Sequence, residues 1–259
     1  MSSCSVKILP ANANETAPQK VIDIVDHLKS SDSSIIFHPN SKKPRKGFQS
    51  SSAEITDYGM KVKYILEKEV IIQTFEGDKQ EYQTIFAECK FIKQEGILLI
   101  SSNSAKLTDE VANIVAELLF QDMVVKCVDL DLTQEQLQSI IEKGARTVIE
   151  VHLPQTKGLD QIRLKAYDIQ NKEWFIEEGF ASENVERYTF IPNLSGAFAK
   201  KTVICNLYKN GRFVIYQKQS FGEEEIENIQ FYILKMISDV LGSPLCKYGQ
   251  MGGQAKLMM

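Results

Sequence analysis

Residues 84–120 read TIFAECKFIKQEGILLISSNSAKLTDEVANIVAELLF, and the fold is decided here. Ile85, Ala87, Cys89 and Phe91 alternate along one strand face, Gly96 supplies a turn, and Ile97-Leu98-Leu99-Ile100 forms a return strand. An amphipathic helix follows. Thr108 is its expected cap, with Asp109 and Glu110 in the first turn, where negative charge complements the helix dipole. Residues 202–241, TVICNLYKNGRFVIYQKQSFGEEEIENIQFYILKMISDVL, run through the same order. In register, Cys89 falls on Cys205, Phe91 on Leu207 and Lys93 on Lys209. The second turn, Asn210-Gly211, is one residue shorter than Gln94-Glu95-Gly96. The helix stripes then realign: Val111 with Ile226, Ile114 with Ile229, Leu118 with Ile233 and Leu119 with Leu234.

Working outward, a helix is expected from Pro18, capped by Thr16, with Val21, Ile22, Val25 and Leu28 as its apolar stripe. Ile35-Ile36-Phe37 reads as a short strand, and 39–54 as a long exposed loop rich in serine, proline and basic residues. Val62, Tyr64 and Leu66 alternate from Lys61, and Phe75-Glu76-Gly77-Asp78 reads as a turn. Thr133-Gln134-Glu135-Gln136 is a capping box for a helix ending near Gly144. Strands follow at Thr147–Leu153 and Ile162–Ile169, and again at Trp174-Phe175-Ile176. Asn210-Gly211 is a hairpin signal, since both residues tolerate positive φ. Strands joined by turns rather than crossovers predict an α+β fold: antiparallel sheets, helices packed on one face, and two pseudo-repeated hairpin-helix halves. The expected organisation is a flexible lead-in (1–17), a first half (18–145), a second half (146–242) and a flexible tail (243–259).

The 259 residues carry a formal net charge of -4, which excludes a protein coated in basic surface but leaves room for a local patch. The 5 cysteines are scattered and form no CxxC pair, so they read as reduced thiols. No apolar run reaches the roughly 18 residues of a membrane span. The first residues, Met1-Ser2-Ser3-Cys4-Ser5, lack the cationic and apolar regions of a signal peptide. The expectation is an intracellular, cytoplasmic protein, or a nuclear one if the source is eukaryotic, that does not engage membranes.

Little in the sequence points to catalysis. His27, His38 and His152 have no second ligand at metal-binding spacing and read as structural. Asp129 and Asp131 share a side of an extended segment, but they precede a helix cap and read as solvated. There is no GxSxG, and Ser195-Gly196 reads as ordinary loop. There is no GxxxxGK[ST] or GxGxxG either. No cofactor and no metal are expected. The densest positive cluster, Lys42-Lys43-Pro44-Arg45-Lys46, makes Lys42, Lys43, Arg45 and Lys46 the candidate nucleic-acid contacts. Tyr64, Phe75, Tyr82, Trp174, Phe175, Tyr208, Phe213 and Tyr216 fall in strand regions, as core residues or as a sheet-face stacking surface.

The two hairpin-helix stretches, 84–120 and 202–241, resemble the TATA-binding-protein-like architecture in order and pattern. That resemblance implies two similar halves with helices on the convex side of a curved sheet. The family's paired intercalating phenylalanines have no counterpart placed here, and its basic saddle is missing from an acidic chain. Three functions stay open. One is a non-enzymatic binding protein presenting a sheet face and the basic loop to nucleic acid, within a larger assembly. The others are a protein-interaction subunit using the same face or an exposed edge strand, and an enzyme whose carboxylates gather only in the fold.

Overall fold

The computed structural model describes residues 2–10, 12–30, 46–102, 104–120, 127–156, 159–173, 185–195, 203–217 and 221–248. The strand expected at Ile35–Phe37, the residues Lys42, Lys43 and Arg45, the strand at Trp174-Phe175-Ile176, and the tail from Gly249 lie outside these. The chain is α+β, with antiparallel strands throughout and four α-helices among the described residues. It forms two compact units. The N-terminal unit is Lys7–Val128, and the C-terminal unit joins Met1–Val6 to Asp129–Tyr248. Among the described residues no helix is long and apolar enough to cross a membrane.

In the N-terminal unit, β2 (Lys46–Thr56), β3 (Gly59–Thr74), β4 (Gly77–Ile92) and β5 (Ile97–Ser102) pair in sequence order. Side chains alternate across a sheet, so Val62, Tyr64, Ala87, Cys89, Phe91, Leu98 and Ile100 share one face. That face is buried with Val21, Ile24, Val25 and Leu28 of α1 (Pro18–Ser30) and with Leu107, Val111, Ala112, Val115 and Leu119 of α2 (Ala105–Leu119). Burial pushes the Cys89 thiol well above its ordinary pKa.

Several local expectations are corrected. Residues 46–54 are strand, because Phe48 and Ala53 enter the core. The Phe48 ring meets Tyr64 edge-on at 5.1 Å. The cap of α2 is Ser104, whose hydroxyl accepts from Leu107 N, while Thr108 Oγ1 donates back to Ser104 O at 3.0 Å. Ile114 and Leu118 only flank the core, and Val115 and Ala116 carry the stripe instead. Thr16 closes the short 3-10 turn Ala13–Glu15 through Ala13 O and does not cap α1. In α1, Ile24 takes the core position expected of Ile22.

Among the described residues the β3–β4 pair outruns its neighbours beyond Leu66 and Ile85: β2 pairs with β3 as far as Leu66, and β5 with β4 from Ala87. The two strands continue as a ribbon to the turn at Phe75-Glu76. Ile71, Ile72 and Phe75 are exposed there, Phe75 completely.

In the C-terminal unit the sheet order is β8 (Leu159–Lys165), β7 (Ala145–Thr156), β9 (Arg187–Pro192), β10 (Val203–Tyr208), β11 (Phe213–Gln217), then Ser2–Cys4 of β1 (Ser2–Ile8). The two-residue strand β6 (Val128–Asp129) precedes α3 (Gln134–Gly144). The expected capping box opens α3: Thr133 Oγ1 accepts from Gln136 N at 3.2 Å, and Gln136 Oε1 accepts from Thr133 N at 2.9 Å. α3 packs on β7 and β9, and against α4 (Glu223–Leu241). Gln230 of α4 donates to Cys4 Sγ at 3.3 Å, which places α4 over the same sheet face. Val151, Tyr188, Phe190, Cys205, Leu207, Phe213 and Ile215 are buried on that face.

The β10–β11 hairpin turns at Asn210-Gly211, with only Gly211 at positive φ (+73°), while Asn210 Oδ1 accepts from Arg212 N. A Cβ on Gly211 would stand 2.5 Å from Leu130 Cβ. Strain and overlap therefore coincide at one residue. Gly211→Ala should destabilise the C-terminal unit by about 1–3 kcal/mol, read as a lower urea midpoint with unchanged slope.

Candidate functional site

The outward face of the C-terminal sheet is polar in two cross-strand rows. Paired residues share a face, so Lys165, Glu150, Thr189 and Asn206 form one row across β8, β7, β9 and β10. Arg163, His152, Arg187 and Tyr208 form the next. Each alternates with an apolar residue turned to the helices, which is why these strands form and why their polar members converge.

A cavity of about 690 Å³ opens on this face, within the usual size range of ligand sites. Its walls include Glu150, Arg163, Lys165, Arg187, Asn206 and Tyr216, with Tyr167 and Ile204 adding apolar surface. Among the described residues Glu150 is the one carboxylate of the wall. It accepts a hydrogen bond from Arg187 Nη2, lies 3.1 Å from Lys165 Nζ and 3.8 Å from Arg163 Nε. Burial alone pushes the Glu150 carboxyl up. The Lys165 hydrogen bond and the charges of Arg187, Lys165 and Arg163 outweigh that and hold it below the usual carboxylate range. Three cations around one carboxylate leave the wall net positive. Arg163 and Lys165 keep their outer ends in solvent, with side chains 57% and 68% exposed.

Two buried polar atoms of this wall, Asn206 Oδ1 and Arg187 Nε, have no hydrogen-bond partner among the described residues. A buried unmatched group costs about 1–3 kcal/mol. The other end of the Asn206 amide donates to Tyr216 Oη at 3.2 Å. Beside the cavity, the Tyr208 ring has the Arg187 and Arg212 guanidinium carbons each 5.7 Å from its centroid. Arg212 Nε also donates to Ser3 Oγ at 3.0 Å. His152 Nδ1 meets Glu186 Oε2 at 2.9 Å. This arrangement fits a planar or anionic ligand.

Of the basic residues singled out in the sequence, Lys42, Lys43 and Arg45 lie outside the described residues. Lys46 opens β2 and sits 3.0 Å from Glu110 Oε1. Tyr64 Oη donates to the same oxygen at 3.0 Å. The Lys46 hydrogen bond, helped by that of Tyr64, holds Glu110 below its ordinary pKa. Burial, then the bond to Glu110, pushes Tyr64 up to about 12. Of the aromatics singled out in the sequence, Tyr64 and Phe213 are core, Tyr208 and Tyr216 lie on the outward face, and Phe75 and Tyr82 are on the ribbon. Among the described residues no three His, Cys, Asp or Glu side chains gather as a metal site.

Glu150, Arg163, Lys165, Arg187 and Asn206 escaped the sequence reading because four strands supply them. The available signal was polar residues at every second position, Glu150/His152, Arg163/Lys165 and Arg187/Thr189, opposite apolar neighbours.

A depressed carboxyl pKa in the folded state stabilises above the unfolded value and loses that stabilisation as pH falls through the folded one. The Glu150 contribution should therefore be complete above about pH 4.3 and fade below it. Glu150→Gln should cost roughly 1–3 kcal/mol at neutral pH and flatten the acid limb of stability, measured by urea melts across pH. Neither a protein-family model nor a curated protein sequence matches this chain.

Proposed function

We propose that this chain is a non-enzymatic binding protein that presents the outward sheet face of its C-terminal unit to nucleic acid, within a larger intracellular assembly. The observation that carries the reading is charge placement. In a chain of net charge -4, Arg163, Lys165, Arg187 and Arg212 meet, among the described residues, Glu150 and Glu186 on or beside this face. Lysine and arginine supply phosphate contacts, and Tyr208 and Tyr216 supply rings on which bases stack. Lys42, Lys43, Arg45 and Lys46 enter the proposal as a second phosphate-binding element.

The two units are read, within the same proposal, as similar halves of a TATA-binding-protein-like architecture. Their support is the shared order β4–β5–α2 and β10–β11–α4, with Cys89 and Cys205 both buried on the helix-facing side.

The test is fluorescence anisotropy with labelled single- and double-stranded DNA and RNA. Binding should weaken steeply between about 50 and 200 mM salt. Arg163→Ala with Lys165→Ala should lower the log–log salt slope by about 1.4–1.8, at roughly 0.7–0.9 per phosphate contact. Absence of binding at low salt would sink the proposal.

The β3–β4 ribbon favours a second reading, a protein-interaction subunit. Ile71, Ile72 and Phe75 hold apolar surface in solvent on the β3–β4 ribbon, whose flanks carry Glu69, Glu76 and Asp78. Ile71→Ser with Phe75→Ser should move stability by no more than about 0.5 kcal/mol and remove specific partners from paired native pull-downs. Identical pull-down patterns would exclude this reading.

A further inference from the structure

We infer that the cavity between β7 and β11 seats a single unstacked nucleobase of a single-stranded nucleic acid, with Asn206 matching its hydrogen-bonding edge; this rests on the nucleic-acid reading above. Charge accounts for phosphate contacts but not for Asn206. That residue is 3% exposed and lines the cavity, with one end of its amide satisfied by Tyr216 and the other unmatched within the protein. Turning the amide over would exchange acceptor for donor and still leave one end unmatched. The ligand edge must therefore offer a polar group to a buried amide. Every nucleobase edge carries donors and acceptors side by side and so serves either orientation of the amide, whereas a phosphodiester offers acceptors alone and serves only one.

The surroundings fit the same ligand. Tyr216 and Ile204 supply flat and apolar wall, on which a base loses less by leaving water than a sugar or an ion would. Arg163 and Lys165 stand at the same cavity with exposed ends, where the phosphates flanking a seated base would run. A duplex keeps its bases stacked and paired, so a seat of this kind selects for single strands.

The experiment compares two labelled strands of equal length, one of oligo-dC and one of abasic tetrahydrofuran spacers, by anisotropy at several salt concentrations. The base-bearing strand should bind at least about tenfold tighter, given the worth of one stacked base. That ratio should persist as salt lowers both affinities, because the base contact releases no counterions. Asn206→Leu should reduce the ratio toward one. Tyr216→Leu, at a half-exposed position, should do the same if the Asn206 variant fails to fold. Equal binding of both strands by the wild-type protein would overturn the base seat and leave the polyanion reading standing. Failure of both strands to bind would overturn the two together.

Discussion

The Glu150 carboxylate is the constraint on which the outward sheet face depends. Strand pairing sets Arg163 and Lys165 of β8 and Arg187 of β9 on either side of β7, and like charges so placed repel. A single buried acceptor among them turns repulsion into a network. Its balance is deliberately incomplete in the physical sense: one negative charge cannot neutralise three positive ones. The surplus lies toward solvent on Arg163 and Lys165, while the deeper Arg187 is tied down. A face built this way is stable on its own and keeps its positive surplus toward solvent.

The same sheet separates two tasks by the period of two along a strand. Val151, Tyr188, Phe190 and Leu207 hold the helices, and Glu150, His152, Arg187, Thr189 and Asn206 look the other way. A register slip of one residue would bury the charges and expose the core. The bulges in the β7–β9 pairing, between Ala145 and Thr147 and between Val148 and Glu150, are therefore part of how the face is set.

The α+β class and its hairpins were legible in the sequence because they rest on local signals: alternation in Ile85–Phe91, Gly96 at positive φ, the Thr133 capping box, and Asn210-Gly211. The local errors share a cause as well. Serines and a glycine at 47–52 read as loop, but Phe48 belongs to a core whose other members lie far along the chain. Thr108 looked like a cap because it precedes two acids, whereas Ser104 fits the turn. The cavity was not legible at all. Its wall combines residues 150, 163, 187 and 206, brought together by tertiary pairing, and no short motif contains two of its charged strands.

The long β3–β4 hairpin has a kinetic consequence. Its base, around Cys89 and Phe91, is roofed by α1 and α2, whereas the pairs near Ile71 and Gln80 have water on their outer sides. One continuous ladder thus contains two protection regimes. Backbone amides at the base exchange hydrogen only through global opening, while those toward Phe75 exchange through local fraying. Each hairpin strand should thus behave as a rigid girder at one end and a fast-breathing filament at the other.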